Sequence, residues 1–270
     1  MNMLYDIRFE NFIFKHALDV HPIVPRENYV EHFHTAYELL LFLQGGGEFT
    51  MRHNKYILRP YNMLFIQPGE HHYIDLEPDT DYERIVVRFE AADIPPMILK
   101  KLAGTQSVYR AKGTRIAEEF MRLDTYCSEL HEDVLPIVLR SSLNVILSYL
   151  GDENATEQTP EYTNETLLYV LDYISDHLTE ITGLEELSKS LHMSQSSISR
   201  LFYNELRVPV MSYIRTQKCM RARTMLNSGV PATKAYLLCG FNDYSSFYRA
   251  YVKVFKNPPS QRMPEITLHS

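Results

Sequence analysis

The strongest constraint on this 270-residue chain is a pattern written twice between Leu184 and Pro259. At an offset of 49, Ile198, Arg200, Phe202, Leu206 and Pro209 align with Phe247, Arg249, Tyr251, Phe255 and Pro258. Upstream the offset falls to 48, pairing Leu184 with Ala232, Leu187 with Ala235 and Leu191 with Cys239, so the second copy carries one extra residue in its turn. An internal repeat of this kind requires two equivalent helical units, each burying the same face.

Each copy reads as two helices about a tight turn. In the first, Leu184, Leu187 and Leu191 form the inner face of a short helix, His192-Met193 turns the chain, and Ser194 caps a helix starting at Gln195. Ile198, Leu201 and Phe202 face inward, which leaves Gln195, Ser196, Ser199 and Arg200 outward and Ser197 at the boundary. Small polar side chains allow close approach to base edges, and an arginine can bond guanine bidentately. In the second copy the chain turns at Gly240-Phe241 and resumes after Asn242 or Asp243. Phe247, Tyr251 and Phe255 then point inward, with Tyr244, Ser245, Ser246, Tyr248 and Arg249 outward and Lys253 on the same helix. Between the copies, Pro209 opens a helix that runs to about Asn227. Its length of some 27 Å at 1.5 Å per residue would set two reading heads about one DNA turn apart.

Charge supports this division of labour. Residues 1–160 hold 15 Lys and Arg against 24 Asp and Glu, whereas Ser194 to Arg262 holds 11 basic residues against Glu205 and Asp243 alone. A chain of net charge −7 thus carries a basic C-terminal surface suited to double-stranded DNA, with Lys218, Arg221 and Lys253 as candidate phosphate contacts. No apolar run reaches the roughly 20 residues that span a bilayer, and Met1 to Asp6 has no signal-peptide character, so a cytoplasmic protein without membrane contact is expected. Cys127, Cys219 and Cys239 are odd in number and far apart, which suggests reduced thiols.

The N-terminal 150 residues have a different texture. Leu39 to Leu43 is a buried strand stopped by Gly45-Gly46-Gly47. Phe49 to Leu58 reads as a hairpin, and Met63 to Ile66, Tyr73 to Leu76 and Arg84 to Phe89 continue a series of short strands. Such a series predicts a small barrel or double-sheet jelly roll. Helices follow. Ile116, Phe120, Leu123, Cys127 and Leu130 make one apolar face, and Leu135 to Leu150 carries two: Leu135, Leu139, Leu143, Ile146 and Leu150 on one, Val138, Val145 and Tyr149 on the other. The second stripe predicts a homodimer contact. Gly151 to Asn164 is acidic, polar and aperiodic, a linker.

Within the strands, His32-x-His34-x-x-x-Glu38 and Pro68-Gly69-Glu70-His71-His72 form a polar constellation. Imidazole and carboxylate suit a divalent metal, and they equally suit hydrogen bonding in a ligand pocket. The second reading is adopted: His32, His34, Tyr37, Glu38 and His72 are expected to line a pocket for a small polar effector, such as a sugar, polyol or related metabolite. No metal, cofactor or catalytic group is expected.

Residues 165–262 resemble the DNA-binding domain of the AraC/XylS family of bacterial transcription regulators. The match rests on Leu-Glu-Glu-Leu at 184–187, Met-Ser at 193–194, Ser-Arg-Leu-Phe at 199–202, Arg-Ala at 221–222, Cys-Gly-Phe at 239–241 and Phe-Lys-Asn-Pro-Pro at 255–259. The N-terminal part similarly resembles the cupin-type sensor domain of many members, through His32-x-His34, Tyr37-Glu38, Pro68-Gly69 and His72. The resemblance implies two recognition helices in adjacent major grooves and an effector-binding, often dimerising, sensor. The expected fold is therefore two-domain α+β: a cupin-like barrel or jelly roll plus helices over 1–150, a linker over 151–164, and an all-α double helix-turn-helix domain over 165–270. The function implied is sequence-specific transcription regulation without enzymatic activity. The alternative is a metal-dependent cupin enzyme with a helical regulatory tail. Two departures from the family pattern bear on geometry: no glycine follows either recognition helix, where Arg207 and Asn257 stand, and Ala235-Tyr236 puts a large ring in the second support helix.

Overall fold

The computed structural model describes residues 2–20, 34–51, 54–77, 79–102, 107–151 and 159–260. Two compact units divide the chain between Thr163 and Asn164.

The first unit is built on two separate sheets. Strands β1 (Asn2–Phe9), β2 (Phe12–Asp19), β3 (Tyr37–Gln44), β6 (Asn62–Ile66), β8 (Tyr82–Phe89) and β9 (Val108–Arg110) form one, in the order β1-β2-β8-β3-β6-β9. Strands β4 (Gly47–Met51), β5 (Asn54–Leu58), β7 (His72–Leu76) and β10 (Tyr162–Thr163) form the other, in the order β10-β5-β4-β7. All described pairings are antiparallel, and among the described residues no ladder joins the sheets into a closed cylinder. The double-sheet form of the two expected architectures is the one adopted.

Alternation along the strands explains the leucine run. Leu39 and Leu41 point into a core shared with helices, together with Met63, Phe65, Ile85, Val87 and Phe89. Leu40 and Phe42 point the other way, into a core between the sheets with Phe49, Tyr56, Leu64, Ile66 and Ile74. Because the central strand is covered on both faces, it reads as a continuous apolar run instead of alternating with polar residues. The helices that cover the outer face are α2 (Arg115–Glu129) and α3 (Leu135–Leu150), preceded by the short α1 (Pro96–Leu102). A partly buried ion cluster around His16 pins α2 to the sheet. His16 faces Asp124 at 2.6 Å through Nδ1 and Glu83 at 2.8 Å through Nε2. Burial opposes protonation of His16, but the two carboxylates outweigh it and hold its pKa above the ordinary value.

Helix α3 spans the residues expected of it. Leu135, Leu139, Leu143, Ile146, Leu147 and Leu150 are buried; of the second stripe Val145 is 42% and Tyr149 44% exposed and Val138 is half-buried, while Ile137, outside that stripe, is 67% exposed. Two of the three residues of the second stripe, Val145 and Tyr149, therefore lie on the surface of this chain. The linker expectation is corrected at its end: Tyr162 and Thr163 pair with Lys55 and Asn54 as strand β10 and belong to the first unit. A two-residue strand in a polar stretch leaves no periodic signal, so the sequence does not reveal it.

The second unit is all helical: α4 (Glu165–Asp176), α5 (Leu184–Leu191), α6 (Gln195–Leu206), α7 (Val210–Asn227), α8 (Ala232–Leu238) and α9 (Tyr244–Phe255). Each repeat builds its own core around a fully buried aromatic ring, Phe202 in the first and, at the place of Ile198, Phe247 in the second. Phe202 is fully buried among Leu187, Leu191, Ile198 and Ile214. Phe247 is fully buried among Cys219, Ala222, Cys239 and Tyr251. Full burial of one such ring contributes about 1.5–3 kcal/mol. The two ends of α7 are divided between the cores, Val210 and Ile214 serving the first and Cys219 and Ala222 the second.

Both recognition helices end in a left-handed residue, Arg207 at φ 53° and Lys256 at φ 62°. The first agrees with expectation. The second is displaced by one residue from Asn257, because Arg207 and Lys256 occupy equivalent places at the 49-residue offset. A side chain in this conformation costs about 1 kcal/mol or more relative to glycine. Arg207→Gly is therefore expected to stabilise the protein by about 1 kcal/mol, read as a higher denaturation midpoint with unchanged slope.

Candidate DNA interface and effector site

The α6 N-terminus is organised by Ser194, whose Oγ accepts the Ser197 N–H at 3.1 Å and shares hydrogen bonds with the Ser196 and Ser197 hydroxyls at 2.9 and 2.8 Å. Gln195, Ser196, Ser199 and Arg200 are exposed, and Ser197 is half-buried within the cap. Tyr203, absent from the expected set, is 62% exposed one turn further on. In α9 the capping residue is Asp243, which accepts the Ser246 N–H at 2.7 Å and its hydroxyl at 2.8 Å. Ser246 is therefore committed to the cap, while Tyr244, Ser245, Tyr248, Arg249 and Lys253 are exposed. The Tyr236 ring stands at the rim against Tyr244, at 5.7 Å, and Phe247, at 6.3 Å. The tight buried place falls to Ala235, and the large ring stays partly exposed.

A cleft of about 280 Å³ between α7 and α9 is lined by Arg215, Ser246, Arg249, Ala250 and Lys253. Arg215, Arg249 and Lys253 form no ion pair with any described carboxylate. Three cations sharing one cleft, with only the Asp243 carboxylate at the α9 cap near Arg249, suit a phosphate backbone. Lys218 does not join them. Its side chain is buried, and Nζ donates to the carbonyls of Ile181 and Gly240, each at 2.8 Å. The expectation of a phosphate contact is corrected: Lys218 is an internal brace between the loop after α4 and the turn after α8. Burial lowers its pKa.

In the first unit, His34, Glu38 and His72 converge, with one candidate ligand atom from each lying within 4.8 Å of the others. His34 Nε2 lies 3.3 Å from Glu38 Oε2, and the two imidazole rings meet edge-on at 5.0 Å. His34 Nδ1 donates to the Ala36 carbonyl at 2.7 Å and His72 Nδ1 to that of Glu70 at 2.9 Å, so Nδ1 carries a proton in both rings, and a second proton on His34 Nε2 is what lets it donate to Glu38. Arg88, directly opposite Glu38 in the ladder, pairs with the same carboxylate. Burial would raise the Glu38 pKa, but the His34 hydrogen bond and the charges of Arg88, His34 and His72 hold it well below the usual range. Buried His71 beside them is pushed down to about 4.

Not every expected residue joins this group. Tyr37 lies on the opposite face of β3, stacked on Phe65 and Phe89 at 5.9 and 5.4 Å in the helix-side core. His32 falls outside the described residues. Two imidazoles and a carboxylate suit a divalent transition metal in kind and spacing. The Arg88 guanidinium on the same carboxylate already neutralises it, and together the four side chains present donors and an acceptor to a polar organic ligand.

Comparison with known proteins agrees with both halves. Residues 187–263 match the family of helix-turn-helix domains, and residues 21–123 match the AraC-like ligand binding domain. The chain is 23% identical over 230 residues to the HTH-type transcriptional regulator YbfI of Bacillus subtilis, covering 81% of each protein. It is 23% identical over 242 residues to the arabinose operon regulatory protein of Escherichia coli, covering 84% of this chain and 80% of that one. To the transcriptional activator RhaS of Yersinia pestis it is 20% identical over 244 residues, covering 87% and 89%. Among the described residues no helix is long and apolar enough to cross a membrane. The chain belongs to the AraC family of transcription regulators, with an N-terminal ligand-binding domain and a C-terminal helix-turn-helix domain.

Proposed function

We propose that this regulator reads its operator chiefly through Gln195, Ser196, Ser199 and Arg200 of α6, and grips phosphate through the cleft beside α9. The reading rests on one observation: α6 exposes a small polar face with Arg200 unpaired among described residues, whereas the equivalent Arg249 hydrogen-bonds Ser246 and shares a cleft with two further cations. Arg215→Ala and Arg249→Ala are expected to weaken operator and random DNA equally and to reduce the salt slope by about 1 each, measured by anisotropy titration across salt.

The effector site is the His34, Glu38, Arg88 and His72 cluster, and its ligand is a small polar molecule such as a sugar or polyol. Thermal-shift screening of wild type and Glu38→Gln against a panel of such metabolites tests this, since a ligand at a hundredfold its Kd adds about 2.7 kcal/mol of stability. A shift that persists in Glu38→Gln places the ligand elsewhere. Convergence of His34, Glu38 and His72 favours one second reading, a metal-dependent enzyme. Stoichiometric iron or manganese in the purified protein, with no DNA retention at moderate salt, would replace the regulator reading.

The exposed Val134, Ile137, Val145 and Tyr149 side chains on and beside α3 support assembly as a homodimer through this helix. Sedimentation at micromolar concentration should give a dimer for wild type and a monomer for Val145→Glu.

A further inference from the structure

Four residues lie side by side across the four-stranded sheet. His72 of β7 pairs with Met51 of β4, Met51 with Asn54 of β5, and Asn54 with Thr163 of β10. Directly paired residues project from one face of a sheet. Met51 identifies that face as the one turned toward the core between the sheets. With strands about 4.8 Å apart, the row carries His72 of the effector cluster to Thr163 in about 14 Å.

The far end of the row is the short edge strand β10. Thr163 Oγ1 donates to Asn54 Oδ1 at 2.9 Å, the Glu161 N–H donates to the Lys55 carbonyl at 2.8 Å, and the Lys55 ammonium lies 6.0 Å from the Tyr162 ring. A two-residue strand at a sheet edge belongs to the part of a fold that opens first. Its place in the chain gives that opening a consequence. Thr163 is followed directly by Asn164, which caps α4 and begins the DNA-binding unit. With β10 paired, the residue that leaves the sensor sheet directly precedes the cap of α4. With β10 unpaired, Glu161 to Thr163 are released from the sheet and add up to about 10 Å of reach ahead of Asn164.

We propose that β10 is a strap whose pairing is coupled through the His72-Met51-Asn54-Thr163 row to the effector cluster, so that occupancy sets the free length of the tether to the DNA-binding unit. The proposal rests on the effector-site reading above. A ligand that engages His72 orders the row and favours the paired strap, because it binds that state more tightly.

Hydrogen exchange on the full chain tests the strap without an identified effector. Amides of 161–163 should exchange more slowly than an unstructured chain in wild type and about tenfold faster in Thr163→Val, which loses one hydrogen bond. His72→Ala, three strands away, should accelerate the same amides several-fold while β1, β2 and α3 keep their rates. If His72→Ala also loosens those elements, His72→Asn, which keeps a donor for the Glu70 carbonyl, takes its place with the same expectation. Unprotected amides at 161–163 in wild type would overturn the strap. Amides that respond to Thr163→Val but to neither His72 variant would overturn the coupling. No effector enters this experiment, so its failure and that of the metabolite screen are separate results.

Discussion

Gly240→Ala is expected to destabilise the protein by about 3 kcal/mol or more and to abolish operator binding at 37 °C. Two costs act together. Gly240 has φ 73°, where an L side chain costs about 1–2 kcal/mol. A Cβ there would lie 2.0 Å from the Thr179 carbonyl oxygen and 2.7 Å from its carbon, so backbone must move, at a typical further cost of 1–3 kcal/mol. The same glycine carbonyl accepts the Lys218 ammonium, which also holds Ile181. Movement at Gly240 therefore disturbs the brace between the two repeats as well as the second turn. Urea denaturation followed by circular dichroism checks the first effect, and His192→Gly supplies the contrast. His192 takes the same left-handed conformation at φ 52° in the first repeat, so glycine there should be neutral or stabilising.

Arg200→Ala is expected to cost about 1–3 kcal/mol on the operator, on the order of 10- to 100-fold in Kd, and much less on random DNA. Arg200 is exposed on the second turn of α6 and forms no ion pair with a described residue. It stands beside Ser196 and Ser199, whose short side chains let the helix approach a groove. Equal losses on operator and random DNA would make it a phosphate contact and shift base reading to the serines and Gln195.

Much of this architecture is legible from side-chain spacing. The 49-residue offset finds both recognition helices, both N-caps and the shared aromatic core place. The offset of 48 before it becomes visible as one residue, Met193, between the left-handed His192 and the Ser194 cap, against two, Phe241 and Asn242, between Gly240 and Asp243. Where expectation failed, the missing information is of two kinds. Some was present in periodicity: Tyr37 adjoins Glu38 on a strand and so cannot share its face, Lys218 lies four residues from both Ile214 and Ala222 on a buried stripe, and Lys256 is the true counterpart of Arg207. The rest depends on register between distant strands. That Arg88 stands opposite Glu38, or that Thr163 stands opposite Asn54, follows from ladder alignments that no local pattern encodes. An arginine alternating with Val86 on an inward-facing strand is the one clue that a buried carboxylate awaits it.

The central claim is that one chain presents two reading heads of unequal role to adjacent major grooves. Hydroxyl-radical footprinting of the full chain on DNA selected from a random pool tests it most directly. The account predicts two protected tracts on one face of the duplex, centred about one helical turn apart, with strong base preference under the α6 tract and weak preference under the α9 tract. A pool that shows no enrichment at moderate salt, or a footprint with a single protected tract, would contradict it.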